Sequence, residues 1–185
     1  MIASKADLKE YIVRDMAFYH GFSRWDRIIC ALTRDPAHQI VQYLRLLRKE
    51  EYYYNVRQDM PGKLLYLFYF CRKNRLGNRL GFKIPKNCFG PGLTIYHHGT
   101  VIVNELAQIG ADCHLHGNNC IGNKGAVDAV PVIGNNLDLG FGACVIGNVI
   151  LGDNTTVGAN AVVVKSFPNG GVTLTGVPAE ERKKG

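Results

Sequence analysis

From Ile133 onward an aliphatic side chain returns at every sixth position: Ile133, Leu139, Val145, Leu151, Val157 and Val163. Four residues after each of the first five stands a small or medium side chain: Leu137, Ala143, Val149, Thr155 and Ala161. Glycine follows the aliphatic directly at 134, 140, 152 and 158. Traced backwards, the same phase meets Ile121, Leu115, Ile109 and Val103, and it dissolves only in GNKGAVDAVP, 122–131. A period of six is neither the 3.6 of a helix nor the 2 of a simple strand. It fits a chain that turns a corner every six residues and stacks its coils, so that corner aliphatics form a ladder. Gly and Asn, as in Asn135-Asn136 and Asp153-Asn154, supply the turns where φ is unfavourable for other residues. A β-sandwich of short strands would show turn signals every 8–12 residues instead.

Before residue 85 the pattern is helical. Ser4 with Asp7 three residues on reads as an N-cap and an Asp form of the capping box, ahead of Leu8, Tyr11, Ile12 and Met16. Asp35-Pro36 is a second start signal, with Pro at the first helical position. After it, Ile40, Tyr43, Leu44 and Leu47 share one face, and Arg45, Arg48 and Lys49 fall off it. Pro61-Gly62 opens a third segment, Lys63 to about Asn78, ending at Gly77 or Gly81. Its LLYLFYFC core has no polar gap, which predicts a helix buried on several sides.

Composition sharpens this division. The 185 residues are 46% hydrophobic and 20% charged, enough apolar content for a core and against wholesale disorder. The longest apolar run, Leu64 to Cys71, is too short to span a bilayer. The start, MIASKADLKEY, carries charge where a secretion signal needs an apolar stretch, so a cytoplasmic protein is expected. Six cysteines (30, 71, 88, 113, 120 and 144) form no CxxC pair and read as free thiols, most of them buried. Of the net charge of +7, residues 1–85 hold 16 Lys and Arg against 8 Asp and Glu, and residues 86–185 hold 6 against 7. The chain is therefore divided into a helical region, 1–84, and a repeat region, 85–185. The basic surplus reads first as solvated helix faces. Its alternative is an anionic partner, such as a membrane face met by Arg72, Lys73, Arg75 and Arg79; no nucleic-acid motif accompanies it.

The repeats, together with GPGLTIYHHGTVIVN (90–104), the break at 122–134, GFGACVIGNVILG (140–152), VGANAVVVKSFP (157–168) and TGVPA (175–179), resemble the hexapeptide-repeat acyltransferase superfamily. Within it they are nearest to serine acetyltransferase and related O-acetyltransferases. The likeness covers about residues 84–179. It implies a mainly β fold, a left-handed parallel β-helix of triangular section behind the α-helical N-terminal part. It also implies a homotrimer with each active site between neighbouring prisms, and acetyl-CoA as co-substrate with no metal.

The residues it implies follow motif by motif. Activating an alcohol for attack on a thioester needs a base, and a neutral histidine suits pH 7. The family's base lies four residues before the aliphatic triplet, here Val101-Ile102-Val103, which gives His97. The neighbouring His98 remains the competing choice and is otherwise an acceptor-side residue. Backbone N–H groups at Gly122 or Gly142 are candidates for the oxyanion. Asp128, in the loop 123–131 that overhangs a neighbouring subunit in the family, would touch the acceptor or orient a base. Phe141, Gly142 and Ala159 would meet the pantetheine arm, Lys165 the nucleotide phosphates, and Arg182, Lys183 and Lys184 the 3′-phosphate.

The chain also departs from the serine enzymes. Their Asp before the catalytic His is Tyr96 here, an acidic residue near the start of their β-helix is Phe82, and a second His before the loop proline is Val130. Glu105 or His116 is left as orienter or acceptor contact. These changes point to a different acceptor, a sugar hydroxyl in a polysaccharide or its lipid-linked precursor, with serine as the alternative. Two other classes compete. A γ-type carbonic anhydrase shares the scaffold, and His114 with His116 suggests it, but the family's other metal histidines have no counterpart in 140–147. The last alternative is a non-catalytic scaffold.

Overall fold

Ser4 starts the first helix as expected: its hydroxyl accepts from the Asp7 N–H at 3.1 Å, and the Asp7 carboxylate accepts from Ala3 N–H at 2.8 Å. The computed structural model describes residues 1–19, 25, 29–30, 32–33, 35–125 and 128–182. Among them, three α-helices precede a stack of short strands: α1 (Lys5–Asp15), α2 (Pro36–Asn55) and α3 (Met60–Leu80), with a 3-10 turn at Ala17–Tyr19. Asp35 caps α2 by accepting from Ala37 and His38 N–H, and Pro36 opens it. Gly81 ends α3 in the left-handed conformation, φ 82°, that a C-cap glycine provides.

Among the described residues fourteen strands follow: β1 (Phe82–Lys83), β2 (Thr94–Ile95), β3 (Val101–Val103), β4 (Gln108–Ile109), β5 (His114–Leu115), β6 (Asn119–Gly122), β7 (Val132–Ile133), β8 (Asp138–Leu139), β9 (Cys144–Ile146), β10 (Ile150–Leu151), β11 (Thr156–Val157), β12 (Val162–Val163), β13 (Thr173–Thr175) and β14 (Glu180–Glu181). They form three sheets, β1-β3-β6-β9-β12, β4-β7-β10 and β2-β5-β8-β11-β13-β14, and every pairing is parallel except β13 with β14. Successive strands of one sheet lie one coil apart: Val101 faces Asn119, Cys144 faces Val162 and Ile150 faces Val132. The coil that contains residues 123–131 is longer by six, so Ile121 faces Val145 and Leu115 faces Leu139. The break in the sequence period is thus a loop at one corner, not an interruption of the stack. Val127 and Ala126, within it, lie outside the described residues.

The interior is the ladder read from the sequence. Leu115, Leu139, Val145, Val157 and Val163 are fully buried, and Val103, Ile109, Ile121, Ile133 and Leu151 nearly so. The position four residues after each aliphatic is also inside, at Leu137, Ala143, Val149, Thr155 and Ala161. Each such aliphatic contributes about 1.5–3 kcal/mol by leaving water. The polar members of the ladder are satisfied: Thr155 Oγ1 donates to Gly152 O at 2.7 Å, and Asn119 Nδ2 donates to Gly140 O at 2.8 Å. Corners turn through Asn118, Asn136, Asn154 and Asn160, all with φ between 52° and 58°.

The helices close the first coil through buried charge. Arg48 was expected off the apolar face of α2, yet it is wholly buried. Its guanidinium bonds Asp15 (2.7 Å), Glu51 (3.0 Å) and the carbonyls of Phe89 and Gly90. Asp15 also accepts from Gly92 and Leu93 N–H. With every donor engaged, the cost of removing this cation from water is offset. Lys73, expected at the surface, is buried instead against Glu50 at 2.8 Å and Ile84 O at 3.1 Å. Helix α3 differs further from expectation. It spans the anticipated stretch, but Leu64, Leu67 and Phe68 are half or more exposed. Its buried positions are Gly62, Lys73, Gly77 and Leu80, because Gly77 lets Tyr43 and the Phe82 carbonyl approach where a side chain would stand. Among the cysteines only Cys88 and Cys113 are buried; Cys71 is exposed and the rest are half-buried. Among the described residues no helix is long and apolar enough to cross a membrane.

Candidate active site

The corner that follows β2, β5, β8 and β11 gathers His97, Gly117, Phe141 and Ala159, one from each successive coil. A Cβ placed on Gly117 would lie 3.5 Å from the Phe141 ring and 3.6 Å from His97 Cβ. Glycine at 117, with φ 109°, therefore brings an imidazole and an aromatic ring to the two sides of a bare backbone step. His97 and His98 are both exposed. Neither ring has a hydrogen-bond partner among the described residues. Phe141 O accepts from Asn160 N–H at 2.9 Å, which locks the corner backbone at Phe141.

The outer face of the same sheet carries a polar ladder. His116 Nε2 stands 2.8 Å from Asp138 Oδ1, and Tyr96 Oη stands 2.8 Å from His114 Nδ1. The Tyr96 ring lies 4.5 Å from the His116 ring at a 30° tilt. Burial pushes the Tyr96 hydroxyl above its ordinary pKa, and the Asp138 carboxylate adds to this, so Tyr96 is a neutral donor at neutral pH. Phe18 packs edge-on against Tyr96 at 4.8 Å, and Tyr19 Oη donates to Ile95 O at 2.6 Å. The segment after α1 thus covers one end of the ladder. This pairing was not foreseen: Asp138 stands outside every motif, and only the coil register sets it beside His116.

The remaining expected residues fall elsewhere. Glu105 and Asp128 are exposed at the corner between β3–β4 and β6–β7, the next corner around the prism from His97. The structure therefore does not bring Glu105 to His97 as its orienter. His116 does not serve in that role either, since it is turned to Asp138. Gly142 N–H already donates to Gly117 O at 2.9 Å, so it is not a free oxyanion donor. Lys165 follows β12, again on the neighbouring corner, and is paired with Glu180 at 2.9 Å. A phosphate there would have to replace Glu180. Arg182 is exposed, and Lys183 and Lys184 lie outside the described residues. Phe82 and Val130, at positions where the serine enzymes carry an acid and a histidine, are both buried. His114 and His116 each have another partner, and among the described residues no three His, Cys, Asp or Glu side chains converge as a metal site would require.

No protein-family model matches the sequence, and no curated protein matches it. Solved structures do. Soybean serine acetyltransferase, as apoenzyme, is 22% identical, with 96% of this chain and 70% of that chain covered at a TM-score of 0.73. The Neisseria gonorrhoeae serine acetyltransferase in complex with serine is 25% identical, with 96% and 70% covered at 0.66. The Brucella abortus serine acetyltransferase in complex with coenzyme A is 22% identical, with 95% and 66% covered at 0.68. The chain has the fold of the serine acetyltransferases, N-terminal helices on a left-handed parallel β-helix.

Proposed function

We propose that this protein is an O-acetyltransferase that moves the acetyl group of acetyl-CoA onto an acceptor hydroxyl. The observation that carries the reading is the stacked corner of His97, Gly117, Phe141 and Ala159, an exposed imidazole aligned coil by coil with a bare glycine step, an exposed aromatic ring and an exposed alanine. It stands on a fold whose solved examples include an enzyme bound to coenzyme A. His97 takes the proton as the acceptor oxygen attacks the thioester carbonyl. The C–S bond then breaks, and the proton passes to the departing thiolate. The pantetheine arm runs along the corner past Phe141 and Ala159, with backbone N–H groups near its amides. A homotrimer would set the neighbouring prism against this corner.

Serine is the acceptor that the structural neighbours favour, one of them having serine bound. A sugar hydroxyl is the second reading. It is favoured by the replacement of the serine enzymes' charged groups with Tyr96, Phe82 and Val130, and by the Tyr96–His116 ring surface, which suits the apolar face of a sugar. The test is CoA release from acetyl-CoA with L-serine and a panel of sugars, for wild type and His97→Ala. Release with one acceptor, lost in the variant, is the expected result. Wild-type release with no acceptor in either class, or undiminished release by His97→Ala, would overturn the proposal.

A further inference from the structure

The outward side of α3 is apolar where solvent should meet polar residues. Met60, Leu64, Leu67 and Phe68 are 69%, 63%, 53% and 50% exposed, and Cys71 beside them is exposed as well. At 100° per residue these positions share one face, and Arg75 continues it, flanked by Arg72 and Arg79. All three arginines are exposed. The helix contains five Lys and Arg and no Asp or Glu, and its one buried cation, Lys73, is neutralised internally by Glu50. Arg72 lies over the Phe68 ring at 5.6 Å, so the apolar and basic parts are one continuous surface.

We infer that this face is a docking surface for an anionic lipid membrane, on which α3 lies in the interface plane. Large apolar side chains backed by arginines, without a single carboxylate, match the boundary between acyl chains and acidic headgroups. A nucleic acid would use the arginines but leave Leu64 and Leu67 in water. A second copy of this chain packed through the same face would bring its own arginines and no carboxylate to meet them. The helix is too interrupted by charge to cross the bilayer, so it lies on the surface. The inference does not depend on the acetyl-transfer reading.

The test is co-sedimentation of the full chain with vesicles of phosphatidylcholine alone and of phosphatidylcholine with about 30% phosphatidylglycerol. Binding is expected to the anionic vesicles, to weaken with salt, and to fall about 100-fold in R72E/R75E/R79E and strongly in L64E/F68E. Circular dichroism and thermal melting, unchanged in both variants, show that they fold. No binding to anionic vesicles, or equal binding to both kinds, overturns the inference. So does a change in the mass of the assembly by light scattering in L64E/F68E with vesicle binding retained, which would identify the face as a contact between protein chains.

Discussion

His116 Nε2 and Asp138 Oδ1 stand 2.8 Å apart across one step of the stack, joined by the coil register and not by any local motif. The carboxylate fixes the imidazole's orientation, as a positioned partner does for a histidine that binds or transfers protons. His97, one coil earlier and around the corner, has no such partner among the described residues of its own chain. The two histidines therefore separate into an exposed ring, the base under the proposed reading, and an anchored neighbour. His116→Gln is expected to raise the acceptor KM with kcat kept within about tenfold. If it removes turnover as completely as His97→Ala, the base is His116 instead.

Under the proposed reading, His97→Ala removes the general base and lowers kcat by about 10²–10⁴-fold. Acetyl-CoA binding, followed by protection against thermal unfolding, should persist, because the corner backbone at Phe141 and Ala159 is untouched.

Arg48→Met leaves Asp15 and Glu51 buried without their cation. Removing one partner of a buried pair costs about 3–5 kcal/mol. Urea unfolding should show that loss. A change below about 1 kcal/mol would mean that the network adds nothing beyond packing.

Gly142 has φ 74°, and a Cβ there would collide with Asn160 Oδ1. Gly142→Ala should cost about 1–3 kcal/mol and, under the proposed reading, weaken acetyl-CoA more than acceptor. Equal effects on both KM values would detach this corner from the pantetheine path.

The cysteines provide a pH test. Burial pushes the Cys88 thiol up to about 12, and burial raises Cys113 as well, whereas Cys71 is exposed. A thiol-specific reagent at pH 8 should modify Cys71 in the folded protein and reach Cys88 and Cys113 only on unfolding. The unfolded thiols ionise near pH 9 and the folded ones do not. The stability tied to their protonated form is therefore present below pH 9 and declines as pH rises toward 12. Rapid labelling of Cys88 in the native state would contradict its burial.

Most of the fold was legible because a six-residue period has few physical realisations, and each aliphatic it marks is inside. The helix starts at Ser4 and Asp35 were legible for the same reason: a cap is a local signal. What escaped the sequence was long-range. Arg48 looked like a solvated charge because its partners, Asp15 and the carbonyls of Phe89 and Gly90, are distant in the chain. Helix α3 looked buried because apolarity was read without its glycines, and Gly62 and Gly77 turn the other side inward. In the candidate site, the period placed His97 on the corner after β2, where it stands exposed. The partner of His116 was not readable, because the loop 123–131 shifts the count between coils by six.

A stack of parallel strands leaves an unsatisfied hydrogen-bonding row at each end, an invitation to unlimited head-to-tail growth. Here β14 reverses direction against β13, and the helices occupy the opposite end through Arg48 and the Phe89 and Gly90 carbonyls. At one end the β2-β5-β8-β11-β13 sheet, and at the other the Phe89 and Gly90 carbonyls, are thereby withheld from pairing with a further coil.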